Sequence, residues 1–354
     1  MQFKKKITKY LIASAILLLI INVALDFFTK RKRAENNEHE FTCRQLDSIF
    51  YDVLNDFGIE SQWITSVKVK IADEDSIEKK IVVKLPADLP IPLIIRDFHK
   101  KIENDITSFV SEEKKFFGTT EIRIYSNEYL KQFIQLIPDN QIVRKRNELC
   151  FIISNAFDLN EKDFNSFLSI PYPFSTVVIP EEDVIMKANE LKNYSKEFIV
   201  LLNDDVTDMP FKLNPKSHKY ILKNSVKNIA ATFNNAQLFV IDESSELYNS
   251  TTFNFIKDEF KKRKINFINL SEFIHLNSDD ENELISKFRF HAEDKSENDK
   301  IKSANQSLQW NQKIFYLSNE NFLKIKSEFD RMRKKGNKII PLSSTYLVKN
   351  NFGK

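Results

Sequence analysis

A chain of 354 residues, 29% charged and 42% hydrophobic, is long enough for two modest globular domains and too apolar to stay disordered. It contains only four glycines (Gly58, Gly118, Gly336, Gly353), no two within a short motif, so phosphate-cradling loops of the G-x-G-x-x-G or Walker type are excluded and no nucleotide is expected. The formal charge of +3 is unevenly spread: residues 1–33 hold eight Lys/Arg against Asp26, which is +7, leaving −4 on the rest. The folded part therefore lacks the basic field of a nucleic-acid binder.

Taken in order, the chain opens on Tyr10–Leu25, sixteen residues without a charge, extended by Phe27 and Phe28 around Asp26. At about 1.5 Å per residue, roughly nineteen helical residues reach across a bilayer core. The segment ends in Leu-Asp-Phe-Phe and four basic residues, a poor cleavage site and a good stop. Residues 1–33 are thus expected to be an uncleaved anchor, with residues 10–28 in an inner or cytoplasmic membrane. A cleaved signal peptide is the competing reading. Basic residues flank both ends equally, so orientation rests weakly on charge. The bulk of the chain is expected on the extracytoplasmic side.

Residues 34–40 read as a polar tether, and residues 41–147 as a small α+β domain. Gln45–Phe57 has helical spacing and stops at Gly58. Trp63–Ile71 and Lys80–Leu85 alternate like strands, Leu93–Val110 reads as a second helix, and Thr120–Tyr125 and Leu130–Leu136 as two further strands. The order α-β-β, α-β-β hints at two similar halves, an ordinary α+β domain being the plainer alternative.

From residue 148 to 354 the pattern alternates. Apolar runs at Phe151–Ile153, Phe174–Ile179, Phe198–Leu202, Leu238–Ile241, Ile265–Leu270, Lys313–Leu317 and Lys338–Leu342 are separated by segments of helical spacing. Alternating strands and helices predict an α/β domain whose parallel sheet closes, or nearly closes, into an irregular β/α barrel. Chemistry in such folds sits past the carboxyl ends of the strands. The residues expected there include Ser154, Asn155, Asn203, Asp204, Asp205, Asp242 and His275. No Gly-x-Ser-x-Gly elbow supports serine catalysis. Cys43 and Cys150 allow one disulfide, against which stands the apolar setting of Cys150.

The ordered segments FIISNAF, LSIPYPFSTVVIP, FIVLLND, LFVIDESS, INFINLSEFIHL and KKGNKIIPLSSTYL, spanning about Leu149–Tyr346, resemble the divergent polysaccharide deacetylase family. That resemblance implies a carbohydrate deacetylase-like β/α barrel and metal-assisted hydrolysis of an acetamide. It also locates departures. The family's paired aspartates fall at Ser154 and Asn155, and its strand-end histidine at Asn203. Its Asn-His-x-Gly-Ser segment has no counterpart in Ala230–Gln237. Only Asp242 keeps the aspartate of the F-x-D-S strand. Serine and asparagine are poor ligands for zinc and no general bases at neutral pH. The expectation is a pseudoenzyme of the cell envelope, binding glycan or an envelope protein, with Tyr172, Phe174 and Tyr248 as candidates for stacking on sugar. One alternative is an active deacetylase with zinc or another divalent metal held by Asp204, Asp205, Asp242 and His275. Another is a structural component of an envelope complex.

Overall fold

The computed structural model describes residues 41–351 apart from 70–76, 78, 105, 117, 127–128, 145 and 295–310. The expected anchor at residues 10–28 and the tether lie outside the described residues. Among those that are described, no helix is long and apolar enough to cross a membrane. The chain divides into two compact units, one ending at Arg144 and the other beginning directly after it.

The first unit has the order α1 (Cys43–Asp56), β1 (Ile64–Lys68), β2 (Lys79–Pro86), α2 (Ile91–Ile102), β3 (Thr107–Glu113), β4 (Thr120–Ser126) and β5 (Tyr129–Asp139). The strands form one mixed sheet, ordered β1-β2-β5-β4-β3, in which only β2 and β5 run parallel. Thr42 and Gln45 close a capping box at the start of α1. Both helices bury an apolar stripe, Leu46, Phe50, Val53 and Leu54 from α1 and Ile94, Phe98 and Ile102 from α2. These pack with inward residues of the sheet such as Val83, Ile124 and Ile134. The second helix is shorter than its spacing predicts. Glu103 leaves helical geometry and the Asn104 side chain accepts from the Ile106 amide, so the chain turns and Thr107–Glu113 becomes a strand. That additional strand removes the suggested α-β-β repeat.

The second unit runs β6 (Asn147–Ser154), α3 (Glu161–Leu168), β7 (Ser175–Val178), α4 (Val184–Glu190), β8 (Glu197–Leu202), α5 (Lys219–Thr232), β9 (Leu238–Ile241), α6 (Glu246–Asn249), α7 (Phe253–Lys261), β10 (Phe267–Asn269), β11 (Ile274–His275), α8 (Glu281–Glu293), β12 (Asn311–Ser318), α9 (Asn319–Ile325), α10 (Phe329–Lys334), β13 (Lys338–Ile339) and α11 (Tyr346–Asn351). All its strand pairings are parallel, in the order β10-β9-β8-β7-β6-β12-β11, with β13 beside the start of β6. The two outer strands of this order, β10 and β11, are joined by only residues 270–273. So short a link forces the sheet to curl until its edges approach, giving a barrel left open between β10 and β11.

Alternation along each strand separates two apolar cores. Leu149, Phe151, Ile153, Val200, Leu202, Phe239, Ile241, Phe315 and Leu317 face the surrounding helices. Cys150, Ile152, Val177, Ile199, Leu201, Leu238, Val240, Ile268 and Ile314 fill the barrel interior. β6 is buried on both sides, as a central parallel strand must be. Cys150 is a buried interior thiol and no disulfide forms with Cys43. Burial pushes the Cys150 thiol well above its ordinary range. The amino end of the barrel is plugged by residues 342–348: Leu342 and Val348 join the interior core, and the Ser343 amide donates to Glu197 at 3.0 Å. The closing strand predicted for Lys338–Leu342 stops at Ile339, and Pro341, which has no N–H to offer a ladder, begins a 3-10 turn.

Candidate functional site

With its amino end plugged, the barrel offers a ligand its carboxyl-end mouth. The residues that reach it follow from the alternation. Cys150 and Ile152 point inward, so Ser154 does too; the same parity carries Leu201 to Asn203, Val240 to Asp242 and Ile314 to Tyr316. Parallel register sets the depth: Ile152 pairs with Tyr316, and His275 pairs with Tyr316 from the other side.

Tyr316 is the centre of what converges. Burial pushes its hydroxyl above the ordinary tyrosine range, and the nearby charge of Asp242 pushes it further; the neighbouring Ser154 hydroxyl opposes both, and itself donates to the Leu317 carbonyl at 3.3 Å. Tyr316 is therefore a neutral phenol at physiological pH. The ring of His275 lies 5.0 Å from the Tyr316 ring, while its Nε2 sits 3.0 Å from the Leu270 carbonyl oxygen. Asp242 uses one carboxylate oxygen, Oδ1, to accept from the Ser244 amide at 2.9 Å and the Ser244 hydroxyl at 2.7 Å. Its other oxygen has no protein partner among the described residues.

Several expected site residues do other work. Asn203 folds back on its own loop, donating to Asp205 at 2.6 Å and accepting from the Asp205 amide at 3.2 Å. Asp204 accepts from the amides of Glu246 and Leu247 at 2.6 and 3.1 Å, fixing the start of α6. Asn155 takes the left-handed conformation, and its carbonyl accepts from Asn319 at 3.1 Å. Glu243 receives the side chain and amide of Ser271; burial works against its charge, but these bonds hold its pKa below the usual range. Around the loop after β7, Glu181 is raised by burial and by the charges of Asp183, Asp208 and Asp158. Among the described residues, no three His, Cys, Asp or Glu side chains come together closely enough to hold a metal ion. The carboxylate-plus-His275 metal set is thus corrected, because Asp204 and Asp205 are committed to capping and turn formation. Among the described residues, those at the mouth make no donor set for a catalytic divalent metal.

Two of the stacking candidates are corrected as well. Tyr172 and Phe174 precede β7 and so stand at the amino ends of the strands, opposite the mouth. Phe174 is 1% exposed and packed between Phe167 and Phe322; Tyr172 lies edge-on to Phe329 with its hydroxyl on Asp330. Tyr248 follows β9 and packs beside Phe253 at 5.0 Å. Tyr316 was not singled out from sequence. The signal is in Lys313–Leu317, where Tyr316 stands two residues after Ile314 and so shares its inward face.

No known protein-family model matches the sequence. An uncharacterized protein of Acanthamoeba polyphaga mimivirus is 23% identical over 154 residues, covering 44% of this chain and 84% of that protein. Among solved structures, a CE4 family pseudoenzyme from Bacillus anthracis matches at 8% identity and a TM-score of 0.35, covering 64% of this chain and 83% of the other. A mutant of that CE4 pseudoenzyme matches at 7% identity and a TM-score of 0.33, covering 64% and 85%. At these scores neither likeness adds to what the strand order and the mouth residues say by themselves.

Proposed function

We propose that the second unit is a deacetylase-like barrel without hydrolytic chemistry, whose mouth binds a hydroxyl-rich ligand of the glycan class. The observation that supports this most is the set at the mouth: a serine, a neutral tyrosine and one half-free carboxylate, with no ligand set for a metal among the described residues. Hydrolysis of an acetamide needs a polarised carbonyl and an activated water. Ser154 and Tyr316 supply neither at neutral pH, and a lone Asp242 cannot assemble both. Hydroxyl groups and a carboxylate can instead donate to and accept from sugar hydroxyls.

Calorimetric titration of the full chain with an N-acetylglucosamine oligomer tests this reading. Asp242→Ala is expected to weaken binding about tenfold and Tyr316→Phe about threefold, the scale of a charged and a neutral hydrogen bond. Binding that is absent in the wild type, or unchanged in both folded variants, would overturn it.

A further inference from the structure

The polar groups at the barrel mouth are unbalanced between donors and acceptors. Ser154 spends its proton on the Leu317 carbonyl at 3.3 Å, so its oxygen is left to accept. The His275 Nε2 faces the Leu270 carbonyl at 3.0 Å; a carbonyl only accepts, so the neutral ring carries its proton there and keeps a lone pair on Nδ1. Asp242 has one oxygen engaged by Ser244 and the other without a protein partner among the described residues. All three side chains border Tyr316, Ser154 and Asp242 through their influence on its hydroxyl and His275 with its ring at 5.0 Å. The phenol therefore stands among acceptors, one of them charged.

The surroundings bring no cation to that charge. Immediately past the strand ends lie residues 155–160, 179–183, 203–208, 242–246, 270–273, 276–280 and 319–323. Each stretch holds at least one Asp or Glu, and none holds a Lys or Arg. Lys212 and Lys216 come only later in the loop past β8. Lys187 and Lys324 reach this end from α4 and α9, and each ends on a backbone carbonyl, of Phe157 at 2.9 Å and of Asp279 at 3.5 Å. Helix N-termini open at the same end and account for some of the carboxylates, Asp204 at α6 and Asp280 at α8 among them. Asp242 is not one of these, since its side chain bonds to Ser244. A sugar hydroxyl offers a donor and an acceptor alike. A protonated amine offers three donors, a positive charge and no acceptor, and it makes a charge-assisted bond with a carboxylate.

We propose that the mouth selects a glycan carrying free protonated amines, a glucosamine-type oligomer, over its N-acetylated counterpart. This rests on the mouth being a glycan site and names the glycan's chemistry. The full chain is titrated at neutral pH by calorimetry with a glucosamine oligomer, the N-acetylglucosamine oligomer of equal length, and spermidine, an amine without a sugar. The glucosamine oligomer is expected to bind about fivefold tighter than the N-acetylated one, the scale of a partly exposed charged contact, and tighter than spermidine. Asp242→Asn keeps the acceptor for Ser244 and removes the charge, so the two oligomers should then bind alike. Glu190→Gln, at an exposed carboxylate where α4 ends away from the mouth, should leave their ratio unchanged. Equal binding of both oligomers by the wild type, a preference that survives Asp242→Asn, or one that vanishes in Glu190→Gln would overturn the selection for amines and leave the glycan reading standing. Spermidine binding as tightly as the glucosamine oligomer would show that charge alone is read, and would overturn it as well. Binding of neither oligomer would overturn the glycan reading and this inference together.

Discussion

Phe151→Ala is expected to destabilise the second unit by about 3–5 kcal/mol, the cost of deleting a large ring from a packed core. Phe151 is fully buried on β6, and four phenylalanines meet it: Phe329 at 4.9 Å, Phe315 and Phe322 at 5.6 Å, and Phe288 at 6.1 Å. Those rings come from α10, β12, α9 and α8, so one side chain ties four elements to the central strand. None of these partners is a small flexible group that could flow into the vacated space. Urea unfolding followed by hydrogen exchange of the β6–β9 amides reads the effect separately for this unit. The first unit, with its own core around Phe50 and Phe98, is expected to keep its protection. A loss below about 1 kcal/mol would mean that the rings repack freely and that the aromatic cluster is not what holds the helices to the sheet.

Lys196→Met is expected to cost about 2–4 kcal/mol, through carbonyls left without donors rather than through a lost ion pair. The Lys196 ammonium is buried, donates to the carbonyl oxygens of Ile170 and Tyr172 at 2.6 Å each, and lies 4.3 Å from the Phe174 ring centroid. It thereby pins the turn that delivers the chain to β7. Methionine keeps the length and the apolar stem but offers neither bond. Burial lowers the Lys196 pKa from 10.5 to about 8. Between these values the unfolded chain binds the proton that the folded chain has released, so this group's contribution to stability is full above about 10.5 and lost as pH falls through about 8. A neutral amine still has two N–H donors for the two carbonyls. The wild type should therefore gain on Lys196→Met as pH rises from 8 to 10.5, with groups common to both proteins cancelling in the difference. A gap that stays flat or narrows across that interval would show that the amine keeps its proton.

Much of the second unit is legible because its strands are short unbroken apolar runs, and a parallel sheet buried on both faces produces that pattern. Phe198–Leu202 and Leu238–Ile241 appear in the structure almost residue for residue. The failures have local causes. The helix expected through Val110 ends at Ile102 because an Asn104 turn competes with it. The segment of helical spacing between the last two apolar runs is two short helices joined by a 3-10 turn at Lys326–Glu328. At the site, residue type located Ser154 and Asp242, but it could not say that Asn203 would close on Asp205 or that Asp204 would cap α6. Those bonds depend on loops whose path no periodicity records. Phe174 was misplaced for a simpler reason: an aromatic before a strand sits at the strand's amino end, and the mouth lies at the other.

The central claim, a mouth that binds without hydrolysing, is tested most directly by acetate release from an N-acetylglucosamine oligomer. The full chain is purified, supplied in turn with zinc, with another divalent metal and with chelator, and acetate is followed over time. The account predicts release at the level of buffer alone under every condition, with no saturable zinc uptake involving Asp242 or His275. Acetate release that zinc supports and chelator abolishes would contradict it.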